Sequence, residues 1–403
     1  MRAPTPWTAL AALAFGPAAG SLAQSADTAR SQVVTDATWS NPAAVAIDES
    51  NGFAYAADKG SLSLRKIDLS TGAVAASISM PEGSGVESIQ MAVSVLDGAH
   101  KHLWVHRSDN TLAVFEIDPA RTFAQITRTG SLTLPAPAAD LAVDDAVHRV
   151  FLACPSAGRI AAFDDSAAHG AAISPAGFSP VALPRGSVPA RLAVADAPGV
   201  ARRLFIADRG AAGLVRTMDT ATGELGSIEF TLPSPAPHYI WDVAFNSGTA
   251  TPTAMVLASV RGGQGDGLVS FDPASPTQLS GLDLAGAVGG NKIGDLVAYS
   301  ATASDTASQV LVVRGADSGI DGGVAVFALM ASDTATLTDR RAFPASAPLA
   351  VTGEGTAGGG FQNLAADPVR RRFYVVHEGP LHVHGFEGDS GAACADRGCA
   401  GLR

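Results

Sequence analysis

The sequence predicts an all-β fold, a β-propeller of seven four-stranded blades with its ring closed by an N-terminal strand, on three observations. The first is repetition. An apolar stretch opened by a polar residue, a second strand ending near a basic residue and a third ending in Asp or a similar residue recur along the 403 residues. Clear copies begin at Ala44-Val45-Ala46-Ile47-Asp48, Asp140-Leu141-Ala142-Val143-Asp144, Asp242-Val243-Ala244-Phe245-Asn246 and Asn363-Leu364-Ala365-Ala366-Asp367. Looser copies begin at Gln90, Arg191 and Asp295, a period of about 50 residues that falls in the range of propeller blades. The second observation is composition: 43 Gly and 24 Pro punctuate short strand-like runs, with turn signals such as Asp-Lys-Gly, Ser-Asp-Asn and Asp-Arg-Gly between them. The third is that no long stretch carries helical periodicity.

Taken in order, residues 1–23 read as a signal peptide. Ala9 to Ala19 is an apolar run behind Arg2 and ahead of Ser21-Leu22-Ala23, a small-x-small cleavage pattern, and the run is too short to span a bilayer. The expectation is a chain cut near Ala23 and exported, periplasmic or secreted, with no membrane span. Residues 24–388 form the propeller and 389–403 a polar tail.

In the first unit Phe53 to Ala57 reads as the second strand, Ser63 to Asp68 as the third and Ala75 to Met80 as the fourth. The last unit supplies only three strands, Phe361 to Asp367, Arg372 to His377 and Leu381 to Phe386. Its missing outer strand is expected from the segment around Gln32 to Asp36, which removes an exposed edge. Asp68, Asp118, Asp219 and Asp272 end third strands and read as turn residues accepting backbone hydrogen bonds.

The three cysteines divide by context. Cys154 sits in an apolar second strand as a small hydrophobe, whereas Cys394 and Cys399 lie close together in the tail, where a disulfide is expected before a metal site. A net charge of −11 argues against nucleic acid as a partner, because phosphate backbones need basic faces. No Cys-x-x-Cys-His haem motif supports a redox propeller. Gly388-Asp389-Ser390-Gly391 has the look of a serine-protease segment but lies past the last blade, and His382 and His384 share one face of a strand without a third ligand.

In a propeller blade the first strand starts on the face where the second ends, so two rings share one rim. The inner ring is Gln90, Asp140, Arg191, Asp242, Asp295 and Asn363, broken only by Ala44. The outer ring, at the turns after second strands, carries Lys59, Arg107, Arg209, Arg261 and Arg314. Solvated turns and a wet channel mouth explain either ring alone. Together, carboxylates inside a circle of cations suit an anionic, metal-bound small molecule such as a phosphate ester, with calcium on Asp140, Asp242 and Asp295 and the cations on phosphate oxygens.

Arg107-Ser108-Asp109-Asn110-Thr111-Leu112-Ala113-Val114-Phe115-Glu116-Ile117-Asp118-Pro119 resembles the second-blade signature of the β-propeller phytases, exported calcium-dependent enzymes that hydrolyse inositol phosphates. Ala57-Asp58-Lys59-Gly60 is similar to the same family's turn one blade earlier, and the stretch from Asp144-Asp145 through Phe163 is similar to a later blade. The resemblance implies that Lys59 and Arg107 hold substrate phosphate, and it makes Glu378 a further candidate metal ligand. The family's ring has six blades, one fewer than the units counted in this chain. Two functions stand as expectations: calcium-assisted hydrolysis of phosphate monoesters, or a non-catalytic propeller binding an anionic ligand or a protein on the ringed face.

Overall fold

The computed structural model describes residues 31–34, 42–80, 86, 89–96, 101–117, 127–134, 136–165, 173–195, 200, 202–210, 214–231, 238–246, 255–262, 267–273, 278–283, 293–299, 308–314, 323–329, 335–342, 364–367, 372–376 and 381–385. Beyond Asn246, side chains are described only at positions 256, 258, 268–273, 296–298, 364–366 and 374. The signal-peptide and tail readings, Cys394, Cys399, Asp118, Asn363 and Glu378 lie outside the described residues.

Among the described residues, twenty-nine strands make up seven sheets. Strand β1 (Ser31–Val34) is followed by the first sheet, β2 (Pro42–Asp48), β3 (Phe53–Asp58), β4 (Ser63–Asp68) and β5 (Val74–Ser79). The second sheet is β6 (Ile89–Val95), β7 (Lys101–Arg107), β8 (Thr111–Ile117) and β9 (Thr127–Thr133). In the third, β10 (Asp140–Asp144), β11 (Arg149–Cys154) and β12 (Arg159–Asp164) carry two short outer pieces, β13 (Ser174–Pro175) and β14 (Val181–Ala182). The fourth sheet comprises β15 (Pro189–Ala195), β16 (Arg203–Asp208), β17 (Leu214–Asp219) and β18 (Leu225–Thr231). The fifth holds β19 (His238–Asn246), β20 (Met255–Gly262), β21 (Gly267–Phe271) and β22 (Gln278–Asp283). The sixth holds β23 (Ile293–Tyr299), β24 (Ser308–Arg314), β25 (Gly323–Leu329) and β26 (Ala335–Ala342). The last contains β27 (Leu364–Asp367), β28 (Arg372–Val376) and β29 (Leu381–Gly385).

All pairings are antiparallel, and inner strands β2, β6, β10, β15, β19, β23 and β27 touch in that order before β27 returns to β2. The expected closure is present: β1 pairs β29 with Ser31 opposite His384 and Val34 opposite Leu381, so the last sheet is completed by the start of the chain. The second strand of the first unit runs Phe53–Asp58, one residue past the expected Ala57, and the third runs Ser63–Asp68 as expected.

The core is a series of slabs between neighbouring sheets, built by the period-two alternation of strand side chains. In β3, Tyr55 and Ala57 pack with Met91, Leu103 and Phe115 of the second sheet, whereas Ala54 and Ala56 face Tyr374 of the last. In β16, Leu204 and Ile206 meet Phe151 of the third sheet while Phe205 meets Phe230 and the fifth sheet's Phe271. The aromatic contacts are tilted, with ring centroids 6.0 Å apart for Phe205–Phe230 and 5.2 Å for Phe230–Phe271. Cys154 lies in such a slab beside Trp104 and Leu152, and burial pushes its thiol up to about 11. Asp68 and Asp219 form the expected turns: Asp68 Oδ1 accepts from the Ser70 amide at 2.7 Å and Asp219 Oδ1 from the Thr222 amide at 2.8 Å.

Replacing Ser31–Val34 by a Gly-Ser segment should strip β29 of its partner. Urea unfolding is expected to show a loss of about 2–4 kcal/mol, a few backbone hydrogen bonds at roughly 1 kcal/mol each, together with association through the freed edge. An unchanged midpoint would mean that the N-terminal strand does not close the ring.

Candidate functional site

The strand register sets the rim. Arg107 lies opposite Ile89, Arg261 opposite Tyr239 and Arg314 opposite Ile293, while Asp58 and Asp208, which precede Lys59 and Arg209, lie opposite Pro42 and Pro189. Every one of the five cations therefore sits at the end of its sheet where the inner strand begins. They do not occupy one repeated position. Lys59, Arg209 and Arg261 each come two residues after the partner of the inner-ring residue (Ala57 for Ala44, Ala207 for Arg191, Ser259 for Asp242). Arg107 comes one residue after its counterpart, His106 opposite Gln90, and so takes the place of Asp58 and Asp208. A one-residue offset along a strand reverses the side-chain direction, so the sequence's single outer circle resolves into two kinds of position.

The first and fourth sheets share one turn design. Asp58 Oδ1 accepts the Gly60 amide at 2.9 Å, and Asp208 Oδ1 accepts the Gly210 amide at 2.9 Å. An arginine of the third strand returns to the same carboxylate, Arg65 Nη2 at 3.4 Å from Asp58 and Arg216 Nε at 2.7 Å from Asp208. Burial works against a charge on Asp208, but the Val188 amide, Arg216, Ser187 and the Gly210 amide outweigh it and hold the carboxyl below its ordinary range. The turn is thus fixed by its Asp, and Lys59 or Arg209 rides on it. The Arg209 guanidinium lies 3.7 Å from the centroid of the Trp241 ring and donates to the Trp241 carbonyl at 2.9 Å, fastening the fourth sheet to the fifth.

Arg107 is built differently. It is 3% exposed and forks onto Asp109, Nη2 to Oδ2 at 2.5 Å and Nε to Oδ1 at 3.2 Å. Burial raises the Asp109 carboxyl, yet Arg107 and Thr111 outweigh that and keep it below the ordinary carboxylate value. The signature stretch Arg107-Ser108-Asp109-Asn110 therefore closes a hairpin by an internal ion pair.

The inner ring is a set of fastenings. Asp140 Oδ2 accepts the Leu192 amide of the fourth sheet at 2.8 Å, and Asp242 Oδ2 accepts the Leu296 amide of the sixth at 2.7 Å. Arg191 lies between them, Nη1 3.9 Å from Asp140 and Nε 3.9 Å from Asp242, and donates to the Ala139 carbonyl at 3.4 Å. Calcium asks for six to eight oxygen ligands. Here a guanidinium stands between the two carboxylates, each has an oxygen engaged by a backbone N–H, and among the described residues no three His, Cys, Asp or Glu side chains gather as a metal site. The described residues do not fit calcium at Asp140 and Asp242. Asp295 lies in β23, and its side chain is outside the described set.

A second belt at the opposite end of the inner strands had no assigned role in the sequence reading. Lys101 of the second sheet pairs with Asp48 and Ser50 of the first. The Val95 amide donates to Asp145 of the third sheet at 2.8 Å, and His102 Nδ1 lies 2.7 Å from Asp165 Oδ1. Thr220 of the fourth sheet donates to Asp144 at 2.6 Å, and Arg203 reaches the Pro273 carbonyl of the fifth. The signal was present in the repeat itself, since Asp48, Asp144 and Asn246 all end inner strands.

No family model matches this chain, and no curated protein matches it. Solved structures do. The chain aligns with Raptor of Chaetomium thermophilum at 13% identity and TM-score 0.61, over 90% of its own length and 29% of that chain. It aligns with the β-propeller domain of Cps50 (Swd1) of Myceliophteria thermophila at 11% identity and TM-score 0.58, covering 89% of this chain and 100% of that one. A structure of RRP9 WD40 repeats aligns at 11% identity and TM-score 0.59, covering 89% and 98%. These likenesses carry the fold, a β-propeller.

Asp140→Ala should cost about 2–4 kcal/mol in urea unfolding, because it strands the buried Leu192 amide and leaves Arg191 short of a counter-charge, whereas Asp140→Asn should cost less by keeping an acceptor. If Asp140 serves a ligand instead, both variants will unfold like the parent.

Proposed function

We propose that this chain is a binding propeller that holds an anionic ligand of the phosphate-ester class on the face where its second strands end, and that it does not hydrolyse the ligand. The reading keeps the export expected from residues 1–23. The observation that carries it is the repeated turn: the same Asp-fixed hairpin presents Lys59 in the first sheet and Arg209 in the fourth, with Arg261 at the matching register in the fifth. Five basic residues gather at one end of the sheets in a chain of net charge −11. The carboxylates that hydrolysis would need for calcium are engaged in joining sheets, which favours binding over catalysis.

A second reading, a protein as partner, is supported by the likeness to a propeller in a structure of the Mitotic Checkpoint Complex (12% identity, TM-score 0.57, covering 89% of this chain and 91% of that one). A propeller face serves either use with the same scaffold.

Calorimetry with phytate, with and without calcium, and a parallel assay for released phosphate separate the readings. The proposal expects binding without calcium that weakens as salt rises, no released phosphate, and about tenfold weaker binding for Lys59→Ala and for Arg209→Ala, the worth of one charge-assisted contact. Arg107→Ala should act mainly by loosening its turn. Release of phosphate with calcium would establish the hydrolytic activity that the phytase resemblance implies. An absence of heat under both conditions would remove the anion site and leave the protein-partner reading.

A further inference from the structure

The second strand of the second sheet is unlike its counterparts. All seven residues of β7 are buried, and four of them, Lys101, His102, His106 and Arg107, carry ionisable side chains. At the position that pairs with the inner-ring residue, the first, third, fourth and fifth sheets have Ala57, Ala153, Ala207 and Ser259. The second sheet has His106, wholly buried opposite the equally buried Gln90. His106 Nδ1 lies 2.7 Å from Gln90 Oε1, and an amide oxygen only accepts, so the ring donates from Nδ1 and keeps its lone pair on Nε2. No described residue hydrogen-bonds Nε2.

The surroundings offer a second proton no home. Along β7 itself the next residue is Arg107, whose positive charge opposes it. Across on β8 the partner of His106's position is Leu112. By alternation His106 shares its side with Trp104, which packs against Leu141, Leu152 and Cys154 of the third sheet, and the Cys154 thiol is held protonated by burial. The third sheet's carboxylate near this end, Asp140, is engaged with the fourth sheet. Asp109 in the following turn favours a proton on His106 but is itself forked by Arg107.

We propose that His106 is an acid-sensitive latch on the turn from Arg107 to Thr111: when its buried ring takes up a proton, this end of the second sheet opens while the other sheets stay closed. Burial is the largest cause that lowers the His106 pKa, to about 4, with Arg107 adding to it and Asp109 opposing. A folded-state value below the unfolded one means that the stability held by the closed turn is present above the unfolded pKa of about 6.5 and is lost as pH falls towards 4. Opening relieves the cost by bringing the ring to water, a local event that need not unfold the ring of sheets. The far end of β7 is fastened to its neighbours, Lys101 to Asp48 and Ser50 of the first sheet and His102 Nδ1 at 2.7 Å from Asp165 Oδ1 of the third. The opening is thereby confined to the His106 end.

Amide hydrogen exchange on the full chain tests this without any ligand, so its outcome is independent of the anion-binding reading. The Asn110 amide, which donates to the Arg107 carbonyl, and the Leu134 amide, which donates to the Asn110 carbonyl, report on the second sheet. The Gly210 and Gly223 amides report on comparable turns of the fourth. After correction for the intrinsic pH dependence of exchange, moving from about pH 7 to about pH 4.5 should lower protection at Asn110 and Leu134 at least about tenfold relative to Gly210 and Gly223. His106→Gln should abolish the difference. Equal change in both sheets, or an unaltered response in the variant, overturns the proposal. Should the variant fail to fold, NMR titration of the His106 ring in the parent decides: a midpoint at or above the ordinary histidine value overturns it, and one well below supports it.

Discussion

The innermost strand of each sheet has a strand partner on one side only, and its other edge of backbone N–H groups must be satisfied from elsewhere or remain as buried, unpaired donors. In this chain the neighbouring sheet supplies the acceptor as a side chain. Asp140 reaches the Leu192 amide and Asp242 reaches the Leu296 amide, each across more than 50 residues of sequence, while Asp48, Asp144, Asp145 and Asp165 tie sheets together at the other end. Apolar slabs fill the space between the two belts. Hydrophobic packing holds the sheets face to face without direction, and the carboxylates supply the directional contacts that set how each sheet is placed against the next.

That constraint governs what the rim can do. A carboxylate committed to a backbone amide and flanked by Arg191 has little capacity left for a hard cation, which is why the inner ring reads as structure and the repeated basic turns remain the more promising feature of the face. Even there the cations differ in kind. Arg107 is buried and forked onto Asp109, Arg209 is laid over Trp241, and Lys59 sits on a turn whose geometry its own Asp determines.

Much of the architecture was legible in the sequence because it rests on local rules. Turn signals on either side placed Ser63–Asp68 at its observed bounds, turn-forming Asp68 and Asp219 were readable from their residue type, and the three-strand last unit pointed to the N-terminal strand that pairs with β29. The candidate site was less legible. The pattern of Asp at inner-strand starts is the same whether the carboxylate faces an ion or the amide of the neighbouring sheet, since the deciding partner lies a full repeat away. Lys59 and Arg209 lie two residues past the partner of the inner-ring residue and Arg107 only one, an offset that shows only once Ala57, Ala207 and His106 are known to be those partners. The second belt was hidden for the same reason: Lys101 and His102 look like ordinary charges at the start of a strand until Asp48 and Asp165 are beside them.

A double-mutant cycle on the Asp48–Lys101 contact between the first and second sheets, Asp48→Ala and Lys101→Ala singly and together in urea unfolding, measures the inter-sheet fastening most directly. The account predicts single losses of about 3 kcal/mol and a coupling above about 1 kcal/mol between residues more than 50 positions apart in sequence. Additive losses would show that the side chains do not act across the seam and that apolar packing alone holds the sheets in their ring.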